Sequence, residues 1–177
     1  WRRRDGQALD TVAENVDVSA VRLFADGSKA LLNKWDTRTN ELGRVVLDLA
    51  TGREHRLEES LPHSGLPVIS HDGTRYAHTR REKDETLVLV QPINSFTEPE
   101  VVARIPSTAA NPWIVCWTFD DRALVAKTEM DAAKGDLVRI ELDGSGRLSP
   151  MPFGTQVFTI EESKDGRWVA YEAEFRK

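Results

Sequence analysis

The chain has 177 residues, enough for one domain with a real core. Its formal net charge of −5 disfavours phosphate-backbone binding, so nucleic acid is not an expected partner. No apolar run reaches the roughly 18 residues that would argue a membrane span, and the single cysteine, Cys116, excludes an internal disulfide framework.

In chain order, 1–13 reads as the end of one strand, a turn at Asp5-Gly6 and a second strand. The next strand is expected over 18–24, with a turn at Asp26-Gly27 and a strand through Ala30-Leu31-Leu32. A polar loop over 34–43 follows, then a strand through Val45, Val46, Leu47 and Leu49, a turn at Thr51-Gly52, and a strand around His55-Arg56-Leu57. The order then repeats. Val68-Ile69 leads to Asp72-Gly73, Tyr76-Ala77-His78, a charged loop over 80–85, Leu87-Val88-Leu89-Val90 and Val101-Val102-Ala103. A third round runs 113–117, Asp120-Asp121, Leu124-Val125-Ala126, a loop over 127–135, a strand over 137–142 and the turn Asp143-Gly144. A fourth gives 157–160, Asp165-Gly166 and Trp168-Val169-Ala170-Tyr171. Short strands between turn signals, with no convincing helical stretch, argue an all-β protein.

Turn aspartates recur 46, 48 and 45 residues apart (Asp26 to Asp72, Asp72 to Asp120, Asp120 to Asp165), a period that signals repeat architecture. Glycine after the aspartate suits a hairpin because it accepts φ > 0 without a Cβ clash. Asp121 replaces it in the third round, a residue that tolerates the left-handed region at roughly 1 kcal/mol. Four residues after each aspartate stand Ala30, Tyr76, Leu124 and Val169, and five after stand Leu31, Ala77, Val125 and Ala170. Both positions are apolar throughout, so the second strand of every unit is expected to be buried on both faces. Sheets packed face to face around an axis, as in a β-propeller, bury strands this way. The repeats are placed at 1–17 (partial), 18–65, 66–109, 110–155 and 156–177 (partial), within one propeller domain or part of a larger one.

The stretches Ser70-His71-Asp72-Gly73-Thr74-Arg75-Tyr76-Ala77 and Ser163-Lys164-Asp165-Gly166-Arg167-Trp168-Val169-Ala170-Tyr171 resemble the W-S-P-D-G-K-x-I-A-F repeat of TolB-like propellers, the WD40-like PD40 repeat. Trp117 stands at the motif's Trp position, which holds Leu23, Ile69 and Glu162 elsewhere, and the motif's Pro is replaced by Ala25, His71, Phe119 and Lys164. The resemblance implies blades of four antiparallel strands, and a periplasmic or secreted compartment that the residues themselves do not fix. Trp1 aligns with Leu47 and Lys177 with Arg38, so the chain enters and leaves within a repeat. Three arrangements fit: part of a propeller of six or seven blades, a nearly complete four-bladed ring, or two copies forming a homodimer that completes a ring.

Catalytic motifs are absent: no G-x-S-x-G occurs, and Asp143-Gly144-Ser145-Gly146 is a hairpin turn rather than a phosphate loop. His55, His63, His71 and His78 form no ligand pair on one element, so no metal and no cofactor is expected. Cys116 is expected to be a buried, inert thiol. Trp113, Val115 and Trp117 share one strand face at a period of two, with Trp117 packing between blades.

Binding is instead expected where loops on a rigid scaffold meet, at the ends away from the Asp-Gly turns. The candidates for ligand or partner contact are Lys34, Trp35, Asp36, Arg38, Arg80, Arg81, Glu82, Asn111 and Trp113. Arg and Trp are the usual interface anchors. The expected function is a non-catalytic binding or scaffold propeller taking a protein or small ligand at one face. The alternatives are the propeller portion of an S9-type serine peptidase, whose catalytic domain would lie outside this chain, and a small-molecule enzyme acting in the propeller funnel.

Overall fold

The structure, a computed structural model, describes residues 17–24, 26–36, 41–58, 67–93, 97–106, 112–128, 136–151, 156–163 and 165–174. The described residues form strands and turns without a helix. They fall into two compact units, Trp1–Leu61 and Pro62–Lys177.

The first unit holds one antiparallel sheet in the order β1 (Asp17–Leu23), β2 (Lys29–Asp36), β3 (Glu41–Asp48) and β4 (Glu54–Glu58). Alternation sorts its side chains. Ala30, Leu32, Val45 and Leu47 cluster on one face with Leu49 beside them, and Leu31 and Val46 lie buried on the other. Its β1–β2 hairpin turns through Phe24–Lys29: Gly27 N–H donates to Phe24 O at 2.9 Å, and Gly27 sits at φ 71°.

The second unit holds three antiparallel sheets. One comprises β5 (Val68–Ile69), β6 (Arg75–Arg81), β7 (Glu85–Pro92) and β8 (Glu100–Pro106). The next comprises β9 (Trp113–Trp117), β10 (Ala123–Thr128), β11 (Asp136–Glu141) and β12 (Leu148–Met151), and the last pairs β13 (Gln156–Glu162) with β14 (Val169–Glu174). The core lies between these sheets. Val68, Ala77, Val88 and Val90 of the β5–β8 sheet pack with Ile114, Trp117, Leu124 and Ile140 of the β9–β12 sheet. Val125 and Leu137, on the other face of that middle sheet, pack with Val157 and Ile160 of β13. Strand β10, buried along its whole length, therefore contributes to two cores at once.

Two-sided burial does not extend to the last repeat. Val169 is exposed, and so is Ala170. Strand β14 pairs only with β13 among the described residues.

The expected loops are also shorter than their polarity suggests. Lys34, Trp35 and Asp36 end β2, and β3 starts at Glu41. Likewise Arg80 and Arg81 end β6, leaving only Glu82, Lys83 and Asp84 between it and β7. Backbone pairing carries these polar residues into the ladder because a strand end needs one dry face at most.

Candidate functional site

The four Asp-turn hairpins share one backbone hydrogen-bond scheme, and three of them also share a hydroxyl–aspartate bond. In the second, Ser70 N–H donates to Arg75 O at 3.0 Å and Gly73 N–H to Ser70 O at 2.9 Å. The Ser70 hydroxyl accepts Arg75 N–H at 3.0 Å and donates to Asp72 Oδ1 at 2.6 Å, while Thr74 N–H donates to the same oxygen at 2.9 Å. Thr118 with Asp120, and Ser163 with Asp165, repeat the arrangement. In the first unit Phe24 occupies the hydroxyl position, and Ser28 donates to Asp26 instead, through its N–H and its hydroxyl.

These bonds set the charge state of the turns. The Ser70 hydroxyl chiefly, with Thr74, holds Asp72 below the ordinary carboxylate value near 3.8; Thr118 does the same for Asp120, Ser163 for Asp165, and Ser28 for Asp26. Partial burial opposes the shift without reversing it. A carboxylate whose folded pKa lies below its unfolded one contributes stability that is fully present above the unfolded value and disappears as pH falls through the folded one. Thermal stability should therefore decline below about pH 4. The double replacement Asp72→Asn with Asp120→Asn should flatten that decline, measured as melting temperature against pH.

Neighbouring sheets of the second unit are clasped turn to turn. Asp121, at φ 54° in the position glycine holds elsewhere, accepts His71 N–H on Oδ1 at 2.8 Å and Asp72 N–H on Oδ2 at 3.0 Å. His71 Nδ1 lies 3.1 Å from the same Oδ1, and an Arg75 guanidinium N–H donates to Asp121 O at 3.1 Å. One seam further on, Glu162 accepts Phe119 N–H at 3.0 Å. There the Phe119 ring lies where a Cβ at 166 would be, so Gly166 is required by close approach as well as by its φ of 65°. Trp117 Nε1–H donates across the same pair of sheets as Asp121, to Val68 O at 2.9 Å, and the Arg75 guanidinium stacks 4.8 Å from the Trp117 ring centre. The expected inter-sheet role of Trp117 is what the structure has.

At the other strand ends lie the expected contact residues. In the first unit the Lys34 ammonium bridges both carboxylate oxygens of Glu54, at 2.8 and 2.9 Å. Gly43, opposite Lys34, lies beside the Arg56 guanidinium. Trp35 stands on the opposite face to Lys34, 38% exposed and paired in register with Asp17 and Leu42. Asp36 closes the ladder opposite Glu41, and Arg38 lies outside the described residues.

In the second unit Arg80 pairs with Glu82 at 3.5 Å, and Glu82 N–H donates to Glu85 O at 2.8 Å to close the hairpin. Arg81 is exposed at the end of β6. Glu85 in turn pairs with Arg104, a partner that the β7–β8 register brings within reach. Asn111 lies outside the described residues.

Trp113 begins β9 half-buried, and the Lys127 ammonium lies 5.0 Å from its ring centre. A bulge corrects the expected face-sharing on this strand. Cys116 faces Val125 and Ile114 faces Ala126, so Val115 is the extra residue. Beyond it the alternation inverts: Ile114 and Trp117 share the face toward the β5–β8 sheet, and Trp113 belongs with Lys127 on the other. Lys127 was hidden from sequence reasoning because it reads as the start of a polar loop, yet it lies buried within β10.

Among the described residues no group of three or more His, Cys, Asp or Glu is placed to hold a metal ion. His71 is taken up at the Asp121 clasp and His78 stacks on Tyr76 with ring centres 5.5 Å apart, while His63 lies outside the described residues. Cys116 is half-buried rather than fully buried, packed against the cluster of Val125, Leu137, Val157 and Ile160.

No protein-family model matches the chain, and no curated protein sequence does. Solved structures do. TolB from Acinetobacter baumannii superposes with a TM-score of 0.75 at 17% identity, over 96% of this chain and 41% of that one. The fold is that of a TolB-like β-propeller. Two other propeller-type structures are similar: an oligogalacturonate lyase in complex with manganese (TM-score 0.70, 16% identity, 99% of this chain, 52% of that one) and the β-propeller domain of the Trilobed protease from Pyrococcus furiosus (0.52, 16%, 94% and 59%). The chain spans less than two thirds of the length of each. A propeller shared by a TolB protein, a lyase and a protease carries no choice of chemistry by itself, so function has to be argued from the site.

Proposed function

We propose that this propeller module is a non-catalytic binding scaffold that takes an extended peptide segment of a partner protein at the strand ends away from the Asp turns. The two ends of its sheets differ in what they offer, and this difference supports the reading. In the second unit the turn end is committed to holding neighbouring sheets together through Asp121, Glu162 and Arg75. The other end presents Arg80, Arg81 and Glu82 around a three-residue loop, with Trp113 at the start of β9; in the first unit the corresponding end presents Trp35 and Lys34. Guanidinium, carboxylate and indole groups on rigid strand ends suit a peptide, whose amides and charged side chains they meet without a loop having to order.

The test uses peptides selected from a displayed library on the immobilised protein. Arg80→Ala and Arg81→Ala, both in the second unit, should each weaken the selected peptide by at least about tenfold, the loss typical of an anchor. Their melting temperatures should stay within a few degrees of the parent. Lys29→Ala, at the turn end, should leave affinity unchanged. Peptides whose binding is lost on Lys29→Ala and kept on Arg81→Ala would contradict the reading.

A further inference from the structure

Four Asp-Gly pairs lie among the described residues: Asp26-Gly27, Asp72-Gly73, Asp143-Gly144 and Asp165-Gly166. Such a pair can react with itself. The amide nitrogen that follows an aspartate can attack the side-chain carboxyl, and a glycine there puts no Cβ in the way. In a folded chain the attack needs that N–H to be free of other bonds, because a bonded amide is held pointing at its acceptor.

Three of the pairs are closed to it. Gly27 N–H donates to Phe24 O, Gly73 N–H to Ser70 O and Gly166 N–H to Ser163 O, each at 2.9 Å. At 166 the Phe119 ring also fills the space beside the glycine. The turn between β11 and β12 is built differently. It is closed outside the pair, by Glu141 N–H donating to Arg147 O at 3.1 Å and Leu142 N–H to Arg122 O at 2.9 Å. Among the described residues nothing accepts the Gly144 N–H. Asp143 and Gly144 are both exposed, and among the described residues no atom beyond the glycine and its chain neighbours lies within 4 Å of where a Cβ at 144 would stand. The tether on the carboxylate does not separate the sites: Ser145 N–H donates to Asp143 Oδ1 at 2.9 Å, as Ser28 N–H does to Asp26. The amide does.

We propose that Asp143-Gly144 is a site of spontaneous backbone isomerisation to isoaspartate, set apart from the other three pairs by its unbonded glycine amide. Gly144 N forms a bond to Asp143 Cγ, and the amide proton leaves with the carboxyl hydroxyl as water, closing a succinimide. Water then adds at the Asp143 main-chain carbonyl and breaks its bond to Gly144 N. The chain now runs through the former side chain, one carbon longer, and the former main-chain carbonyl has become a free carboxylate. One water leaves, one enters, and nothing is oxidised or reduced. The added carbon falls in the turn whose Gly146 lies against Val102 O of β8, 3.2 Å from where a Cβ at 146 would stand. This proposal does not depend on which ligand the strand ends take.

The experiment ages the folded 177-residue chain in warm, mildly acidic buffer, where more of each carboxyl is neutral and open to attack, and follows every pair by peptide mapping. The isomers have equal mass, but chromatography separates them, and an aspartate-specific endoproteinase cleaves beside aspartate and not beside isoaspartate. Isoaspartate should accumulate at 143 at least about fivefold faster than at 26, 72 or 165, the factor for opening one amide hydrogen bond of ordinary net strength. The same chain aged in concentrated urea should convert at comparable rates at all four, because the turns are gone. Asp5-Gly6 lies outside the described residues and enters neither comparison. Conversion at 26, 72 or 165 that matches or outruns 143 in the folded chain overturns the proposal. So does a folded chain that stays unconverted at 143 while the urea-unfolded chain reacts there, or a preference for 143 that persists undiminished in urea.

Discussion

Trp117→Ala is expected to destabilise the protein by about 3–5 kcal/mol, the range for truncating a buried aromatic. The side chain is 1% exposed and belongs to the core shared by two sheets, so its removal leaves a cavity at a junction between two separately hydrogen-bonded ladders. Two further losses attend it. Val68 O loses its indole donor, and the Arg75 guanidinium loses the ring it stacks on. Trp117→Phe keeps much of the volume and gives up the N–H bond, so it should cost about 1–2 kcal/mol. Urea unfolding of the two variants beside the parent measures both values. A loss below about 1 kcal/mol for the alanine variant would mean that the seam is not where stability resides.

Asp121→Ala should come next, at about 2–3 kcal/mol. Two causes add. The carboxylate is the acceptor for the His71 and Asp72 amides, bonds of the charge-assisted kind. Alanine must also hold φ 54°, a strain of about 1 kcal/mol that aspartate eases. Asp121→Gly removes the strain and not the lost bonds, so it should be milder than alanine by about 1 kcal/mol and still destabilising. Asp121→Asn keeps an amide oxygen as acceptor and should be mildest. A glycine variant more stable than the parent would show that residue 121 is merely a poor turn residue.

That contrast shows how far the sequence was legible. The aspartate period and the apolar residues after each turn were enough to place the four Asp-turn hairpins among the described residues, and Gly27, Gly73, Asp121 and Gly166 all adopt the positive φ that the pattern requires; the expected turn at Asp5-Gly6 lies outside the described residues. Asp121 itself reads in sequence as a weakened copy of Asp-Gly. Its compensation lies 50 residues away, at His71, and no local pattern encodes a bond of that range. The bulge at Val115 was hidden for a similar reason: an extra residue leaves the composition of β9 unchanged and shows only in its pairing with β10. Most of the candidate contact residues were chosen as loop residues, whereas Lys34, Trp35, Arg80 and Arg81 prove to be strand ends; Trp113 begins a strand as expected. Polarity alone does not separate the two, because a strand that emerges from a core becomes polar before it stops pairing. Burial in the last repeat was over-read: Val169 and Ala170 are apolar at the positions that are buried in the other units, yet both are exposed.

The most direct measurement is residue-resolved amide hydrogen exchange in the parent and in Asp121→Ala. It tests whether neighbouring sheets of the second unit are locked turn to turn, the observation from which the proposed binding at their other ends is argued. The His71 and Asp72 amides should exchange in the parent on the scale of the β9–β10 ladder, and loss of the carboxylate should release them. The Thr74 amide, held by Asp72 within its own turn, should change far less. If His71 and Asp72 exchange freely in the parent, or exchange at the same rate with and without the Asp121 carboxylate, the clasp does not exist and the division of the sheets into a structural end and a binding end is wrong.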